Sequence, residues 1–168
     1  MKRYSVGKAS LLRNFTFGVE DSLASTVGLL SGLASTNAPR TTIIVTGFIL
    51  IFTEAMSMAV GSFLTEQSVE EYEHHRDLPA ARSLPGSFMM FFSYLGAGLI
   101  PIIPYVSFAM PISLFLSISA AIVSLVLLGA INAVVSHTPY SKQMLRMGIL
   151  GGSVTIAGVI IGSIFKSV

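Results

Sequence analysis

Five stretches of this chain are long and apolar enough to cross a lipid bilayer, and they leave little sequence over for anything else. A membrane-spanning helix needs about 20 mostly apolar residues. Residues 14–35, 41–64, 87–106, 110–135 and 144–165 meet that requirement. The runs are too long, and alternate too little, to be strands of a membrane barrel. Of the 168 residues, 52% are hydrophobic and 11% are charged, whereas a soluble domain carries about 25% charged residues. The sequence therefore predicts an all-α, polytopic membrane protein, with one five-helix transmembrane domain over residues 1–168 and the lipid bilayer as its surroundings.

Most connections are short: TNAPRTT, YVSFAMP and SHTPYSKQ. One link is polar for any distance, the acidic linker 65–86, TEQSVEEYEHHRDLPAARSLPG. With five spans the two termini lie on opposite sides. One side then holds Lys2, Arg3, Lys8, Arg13, Arg76, Arg82, Lys142 and Arg146, and the other only Arg40 and Lys166. Cytoplasmic loops are enriched in Lys and Arg. The bias predicts an N-in, C-out arrangement with the acidic linker in the cytoplasm. The basic start MKRYSVGKASLLRN does not read as a signal peptide, because the apolar run behind it contains Glu20 and Asp21 and no small-residue cleavage site follows.

Several function classes drop out. The chain has no cysteine, which removes disulfides, thiolate metal sites, iron–sulfur clusters and thiol nucleophiles. It has no Gly-rich phosphate loop with its Lys, no HExxH and no GxSxG. Neither an enzyme nor a bound cofactor is expected. The basic residues are scattered and match no nucleic-acid motif, so no nucleic acid is expected as a partner.

The polar residues inside the spans are the candidates for function. Asp21 lies about two turns into the first span, where an ionised Asp costs about 2.5–3.5 kcal/mol on insertion scales. Such a residue faces a partner, a cavity or an ion path, unless it reaches the headgroups. Glu20 points about 100° away around the helix. Glu54 falls near the middle of the second span, and Met58 follows one turn later on the same face. Carboxylate oxygen beside thioether sulfur suits a first-row divalent cation such as Fe²⁺ better than Mg²⁺ or Ca²⁺, which take oxygen alone. Pro101 and Pro104 are expected to kink or end the third helix. In the linker, Glu66, Glu70, Glu73, His74 and Asp77 share one face if the second helix continues into the cytoplasm. They are candidates for cytoplasmic metal capture or a plain solvated surface. His75 and His137 have no partner constellation. Small residues form stripes at helical spacing, in span one behind a carboxylate at Asp21, Ser25, Gly28, Gly32 and Ser35 and in span five at Gly148, Gly151, Thr155, Gly158 and Gly162. Gly28 and Gly32 form a GxxxG, which lets helices approach closely in lipid. They are expected at a homodimer interface, and the fifth-span stripe at contacts within one chain.

Taken together these motifs resemble the vacuolar iron transporter family, in a short form. LLRNFTFGVEDSLASTVGLLSGLAS resembles its first-span signature, EAMSMAVGSFLTEQS its second-span pattern, and GAGLIPIIPY its third-span Pro-x-x-Pro motif. The resemblance covers nearly the whole chain. It implies a homodimer with the path near the dimer interface, and export of Fe²⁺, often Mn²⁺ as well, from the cytosol in exchange for protons. By motif, Asp21 matches the first-span metal-binding Asp, and Glu54 and Met58 match acidic and thioether positions of the second span. Ser22 and Ser62 depart from the family's Gly and acidic residue. The cytoplasmic metal-binding domain of vacuolar members is reduced here to the short linker.

The expected mechanism follows from depth. At about 1.5 Å rise per residue, Asp21 is roughly 10 Å inside span one and Glu54 roughly 15 Å from the cytoplasmic end of span two. Asp21 and Met58 would bind the incoming ion, and Glu54 would receive it and carry the exchanged proton, with Asp21 sharing in proton coupling. The rival expectations are a non-transporting membrane scaffold or interaction subunit, whose acidic residues meet another chain's Arg, and a passive cation channel. The compact form favours a prokaryotic plasma membrane over a vacuolar one.

Overall fold

The computed structural model describes residues 6–75 and 79–165. Lys2, Arg3, Arg76, Asp77 and Lys166, which entered the charge and linker arguments, lie outside them. The described chain is all-helical: α1 (Val6–Ser35), α2 (Arg40–His74), a short 3₁₀ turn (Ala80–Arg82), α3 (Leu84–Ser107), α4 (Ile112–Ser136) and α5 (Tyr140–Phe165), with no strand among the described residues.

Four of these segments are long and apolar enough to cross a membrane: α2, Ala80–Ser107, α4 and α5. The molecule is a membrane protein on that ground. α1 is as long as they are but is not among the four. Arg13, Glu20, Asp21 and its many Ser, Thr and Gly residues lower its hydropathy. The structure gives the physical reason such a helix is tolerated. α1 packs on all four other long helices, most extensively on α3 and α5. Its polar side chains can face protein rather than lipid, and Leu23, Val27 and Leu30 are buried in the core it shares with them.

Helix ends follow local chemistry. α2 continues through the polar sequence after Leu64 because nothing there breaks a helix, and it stops where His75 turns left-handed at φ 51°. Glu66, Glu70, Glu73 and His74 all lie on it. His137, at φ 52°, ends α4 the same way, and the next amide, Thr138 N, donates back to the Ala133 carbonyl at 3.0 Å. Of the kink or end expected at Pro101 and Pro104, the end falls just beyond them: α3 runs through both and stops at Ser107. Both prolines are buried, and neighbouring groups use the carbonyls around them. Ser117 Oγ donates to the Pro101 carbonyl at 2.7 Å, and Phe108 N donates to the Pro104 carbonyl at 2.9 Å. Arg40, at the start of α2, donates to the carbonyls of Tyr105 and Val106, placing a cation at the negative end of α3.

One expectation is corrected. Gly28 and Gly32 do not lie open for a second copy; they face α5 of the same chain. A Cβ on Gly28 would sit 3.0 Å from Val154, and one on Gly32 would sit 2.9 Å from the Gly158 carbonyl. Gly158 and Gly162 return the contact onto the carbonyls of Gly28 and Gly32. Gly28 and Gly32 with Gly158 and Gly162 are the two halves of one close helix crossing, so the GxxxG serves association inside the protomer.

Candidate metal site

Glycine contacts fix the register of the three helices that carry the polar residues. α2 and α3 run antiparallel. A Cβ on Gly47 would meet Ile102 at 3.1 Å, and one on Gly98 would meet Ile51 Cβ at 3.1 Å. Stepping one turn along α2 from Ile51 reaches Glu54, and the matching step back along α3 from Gly98 reaches Tyr94. α1 runs parallel to α3, with Gly18 beside Met90 and Ser93 and with Ser22 Oγ donating to the Tyr94 carbonyl at 2.6 Å. Asp21 precedes Ser22. Asp21, Glu54 and Tyr94 therefore share one level of the bundle, each on a different helix.

Electrostatics agree with this geometry. Asp21 and Glu54 are both half-buried, they act on each other across the helix contact, and both act on the Tyr94 ring. Neither carboxylate accepts a hydrogen bond from a described residue. Two like charges without donors in a low-dielectric region repel, and a divalent cation between them cancels that repulsion. Met58 lies one turn further along α2 and is half-buried. Among the described residues no three His, Asp or Glu side chains gather at one point. Any ion here would be held by two carboxylates with help from neutral groups.

The neighbouring Glu20 belongs elsewhere. It lines a cavity of about 420 Å³ between α1, α4 and α5, together with Arg13, Thr16, Asn132, Gln143 and Arg146. It lies within electrostatic reach of Arg146. Adjacent positions on a helix point about 100° apart, so the pair splits: Asp21 turns to α2 and α3, Glu20 to α4 and α5.

Glu66 is also committed. Its carboxylate accepts hydrogen bonds from Asn14 Nδ2 at 2.7 Å and from Ser10 Oγ, and Arg13 pairs with it at 3.3 Å. Its side chain is 12% exposed, and it lies over Gly86, where a Cβ would meet Glu66 Oε1 at 2.5 Å and Asn14 Nδ2 at 2.6 Å. Glu66 thus joins α1, α2 and α3 at one end of the bundle. Glu70 is half-buried, Glu73 and His74 are exposed, and His74 Nδ1 lies 2.9 Å from the Glu70 carbonyl.

Tyr94 is the residue that sequence reasoning missed. It is fully buried, and its hydroxyl lies 2.8 Å from Ser25 Oγ. The available signal was a tyrosine inside an apolar span, because a buried phenol needs a polar partner.

A helical membrane protein with paired carboxylates between its first three helices is the class that the fold defines. The chain matches the model of the VIT family over residues 12–84 and 73–163, and it belongs to that family. It is 26% identical over 164 residues to vacuolar iron transporter homolog 5 of Oryza sativa subsp. japonica, covering 86% of this chain and 75% of that protein. It is 27% identical over 166 residues to vacuolar iron transporter homolog 3 of Arabidopsis thaliana, covering 89% of this chain and 80% of the relative.

Proposed function

We propose that this protein moves divalent transition-metal ions, Fe²⁺ and also Mn²⁺, out of the cytosol in exchange for protons. The observation that carries the reading is the single level shared by Asp21 and Glu54, two half-buried carboxylates without donors. Asp21, Glu54 and Met58 hold the ion as cargo. Metal binding needs deprotonated carboxylates and releases protons, so one site alternating between metal and protons gives exchange without further machinery. Glu70, Glu73 and His74 on the extended end of α2 gather ions ahead of the site. Glu66 is held by α1 and shapes the mouth.

The reading includes Met58 as a thioether ligand, and an ion panel tests it. Proteoliposomes are loaded with an Fe²⁺- and Mn²⁺-sensing dye. The wild-type protein is expected to move both ions, and Met58→Leu to lower Fe²⁺ flux several-fold more than Mn²⁺ flux, since the harder ion depends less on sulfur. Equal losses for the two ions would remove Met58 from the ligand set. Absence of flux for every ion with the wild-type protein would favour the scaffold reading.

The same reading takes α1 as a fifth span, with the N-terminus inside and the C-terminus outside, and a homodimer. With Gly28 and Gly32 engaged by α5, the face of α2 carrying Thr53, Ser57 and Gly61 is the surface for the second copy. All three are exposed, and nothing stands within 4 Å of a Cβ on Gly61. Small residues at this spacing favour close helix pairing. The natural absence of cysteine makes the test direct. Gly61→Cys is expected to give a disulfide-linked dimer in membranes, and Val168→Cys to react from outside with an impermeant maleimide. Failure to cross-link at Gly61 would move the interface elsewhere, and labelling of Val168→Cys only from inside would reverse the topology.

A further inference from the structure

The Tyr94 phenol lies against Ser25, one helical turn along α1 from Asp21, and is an oxygen that the proposed transport mechanism does not yet use. Three observations fix it there. Ser22 Oγ donates to the Tyr94 carbonyl at 2.6 Å, which locks the α3 backbone onto α1. Ser25 Oγ lies 2.8 Å from the Tyr94 hydroxyl, which fixes the ring. Asp21 and Ser25 stand four residues apart, one above the other on the same face of α1. The hydroxyl bonded to Ser25 is therefore adjacent to the face that carries the Asp21 carboxylate. The antiparallel contact of Ile51 with Gly98 brings Glu54 to the same level from the other side. Tyr94 is 0% exposed, so water does not compete for its lone pairs.

We propose that Tyr94 sets the metal preference of this site by turning a neutral phenolic oxygen toward the ion held by Asp21 and Glu54. This rests on the metal-transport reading above. Ser25 Oγ has the Ser22 carbonyl at 3.5 Å as an acceptor for its own proton, and with Tyr94 as the donor to Ser25 Oγ the phenol oxygen's lone pairs are left for a cation. The ligand set then contains two charged oxygens, one neutral oxygen and the Met58 sulfur. Met58 favours the softer ion of the Fe²⁺/Mn²⁺ pair and Tyr94 the harder one. The two residues balance each other, and removing either tips the preference in a predictable direction.

The test measures ion binding rather than flux, using Mn²⁺ and Fe²⁺ alone on detergent-purified full-length protein under anaerobic conditions. Tyr94→Phe keeps the ring and removes only the oxygen. It is expected to weaken Mn²⁺ binding about tenfold and Fe²⁺ binding clearly less, the size of effect seen when a supporting group of a metal site is lost. Ser25→Ala removes the same hydrogen bond but leaves the phenol oxygen. It is expected to change Mn²⁺ affinity by no more than about threefold, the scale of one neutral hydrogen bond. Thermal melting without metal is recorded for both, so a loss of packing is read separately from a loss of ligand. Equal Mn²⁺ losses in Tyr94→Phe and Ser25→Ala would make Tyr94 a structural residue and overturn the proposal, as would a Tyr94→Phe protein with unchanged Mn²⁺ and Fe²⁺ affinities. Asp21→Asn separates the role of Tyr94 from the metal site itself. If it loses Mn²⁺ while Tyr94→Phe does not, only the role of Tyr94 fails. If Asp21→Asn also binds normally, the metal site fails and the transport reading fails with it.

Discussion

Glu54→Gln is expected to stop Fe²⁺ movement while leaving the protein folded. Gln keeps the shape of Glu and removes its charge. No described residue donates a hydrogen bond to Glu54, so the substitution breaks no internal bond. An ion at this level would lose one of only two charged ligands. Losing even a supporting group of a metal site costs about 10–100-fold in affinity, so losing a direct carboxylate should cost at least about 100-fold in initial flux. Asp21→Asn should behave alike. The check is initial Fe²⁺ flux in proteoliposomes, with melting temperature and elution volume in detergent as controls for folding. Normal flux in Glu54→Gln, or a protein that no longer folds, would remove Glu54 from the role given to it here.

The second large effect concerns packing. Gly158→Leu places a side chain into the carbonyl of Gly28, where even a Cβ would be far inside contact distance. The obstacle is helix backbone, which cannot swing aside as a flexible side chain can. Overpacking of this kind costs about 1–3 kcal/mol and more when backbone must move, and here α1, the central helix, would have to leave α5. Gly158→Leu is expected to lower the melting temperature sharply or prevent accumulation of folded protein. Gly96→Leu is the comparison: Gly96 is exposed, and nothing lies within 4 Å of its Cβ. That variant should melt like the parent. Similar melting of the two variants would mean that α1 and α5 do not cross in backbone contact at Gly28 and Gly158.

These two residues also show what could be read in the sequence. Span lengths set the helices to within a few residues at most ends, because twenty apolar residues can do little in a membrane except form a helix. α1 was read as a span on apolar length and motif, but its hydropathy falls short of the other four, since a helix surrounded by four others need not be apolar. The GxxxG at Gly28 and Gly32 announced a close helix contact without naming the partner. The motif measures how near two backbones can come, and only the fold decides that the partner is α5. Pro101 and Pro104 were read as a kink or an end because a proline removes a backbone donor, and α3 passes both before stopping at Ser107.

The candidate site was legible in part for similar reasons. Rise per residue is fixed by the helix, so the similar depths of Asp21 and Glu54 follow from counting. Tyr94 could not be placed that way, because its level depends on the register of α3 against α1 and α2. Close approaches at Gly18, Gly47 and Gly98 set that register, and each is a long-range contact. Glu66 stood in a row of acidic residues and read like the others. Its partners Ser10 and Asn14 are 56 and 52 residues away in the chain, and nothing local distinguishes it from Glu70 or Glu73.

The most direct measurement of the central claim records Fe²⁺ and H⁺ together in the same proteoliposomes. An interior pH dye and an Fe²⁺ dye are followed while a proton gradient is imposed, reversed or collapsed. The exchange mechanism predicts that Fe²⁺ moves opposite to protons, reverses direction when the gradient is reversed, and drives proton movement by itself when only a metal gradient is present. Fe²⁺ flux that follows its own gradient at the same rate in all three conditions, with no accompanying change in interior pH, would contradict it.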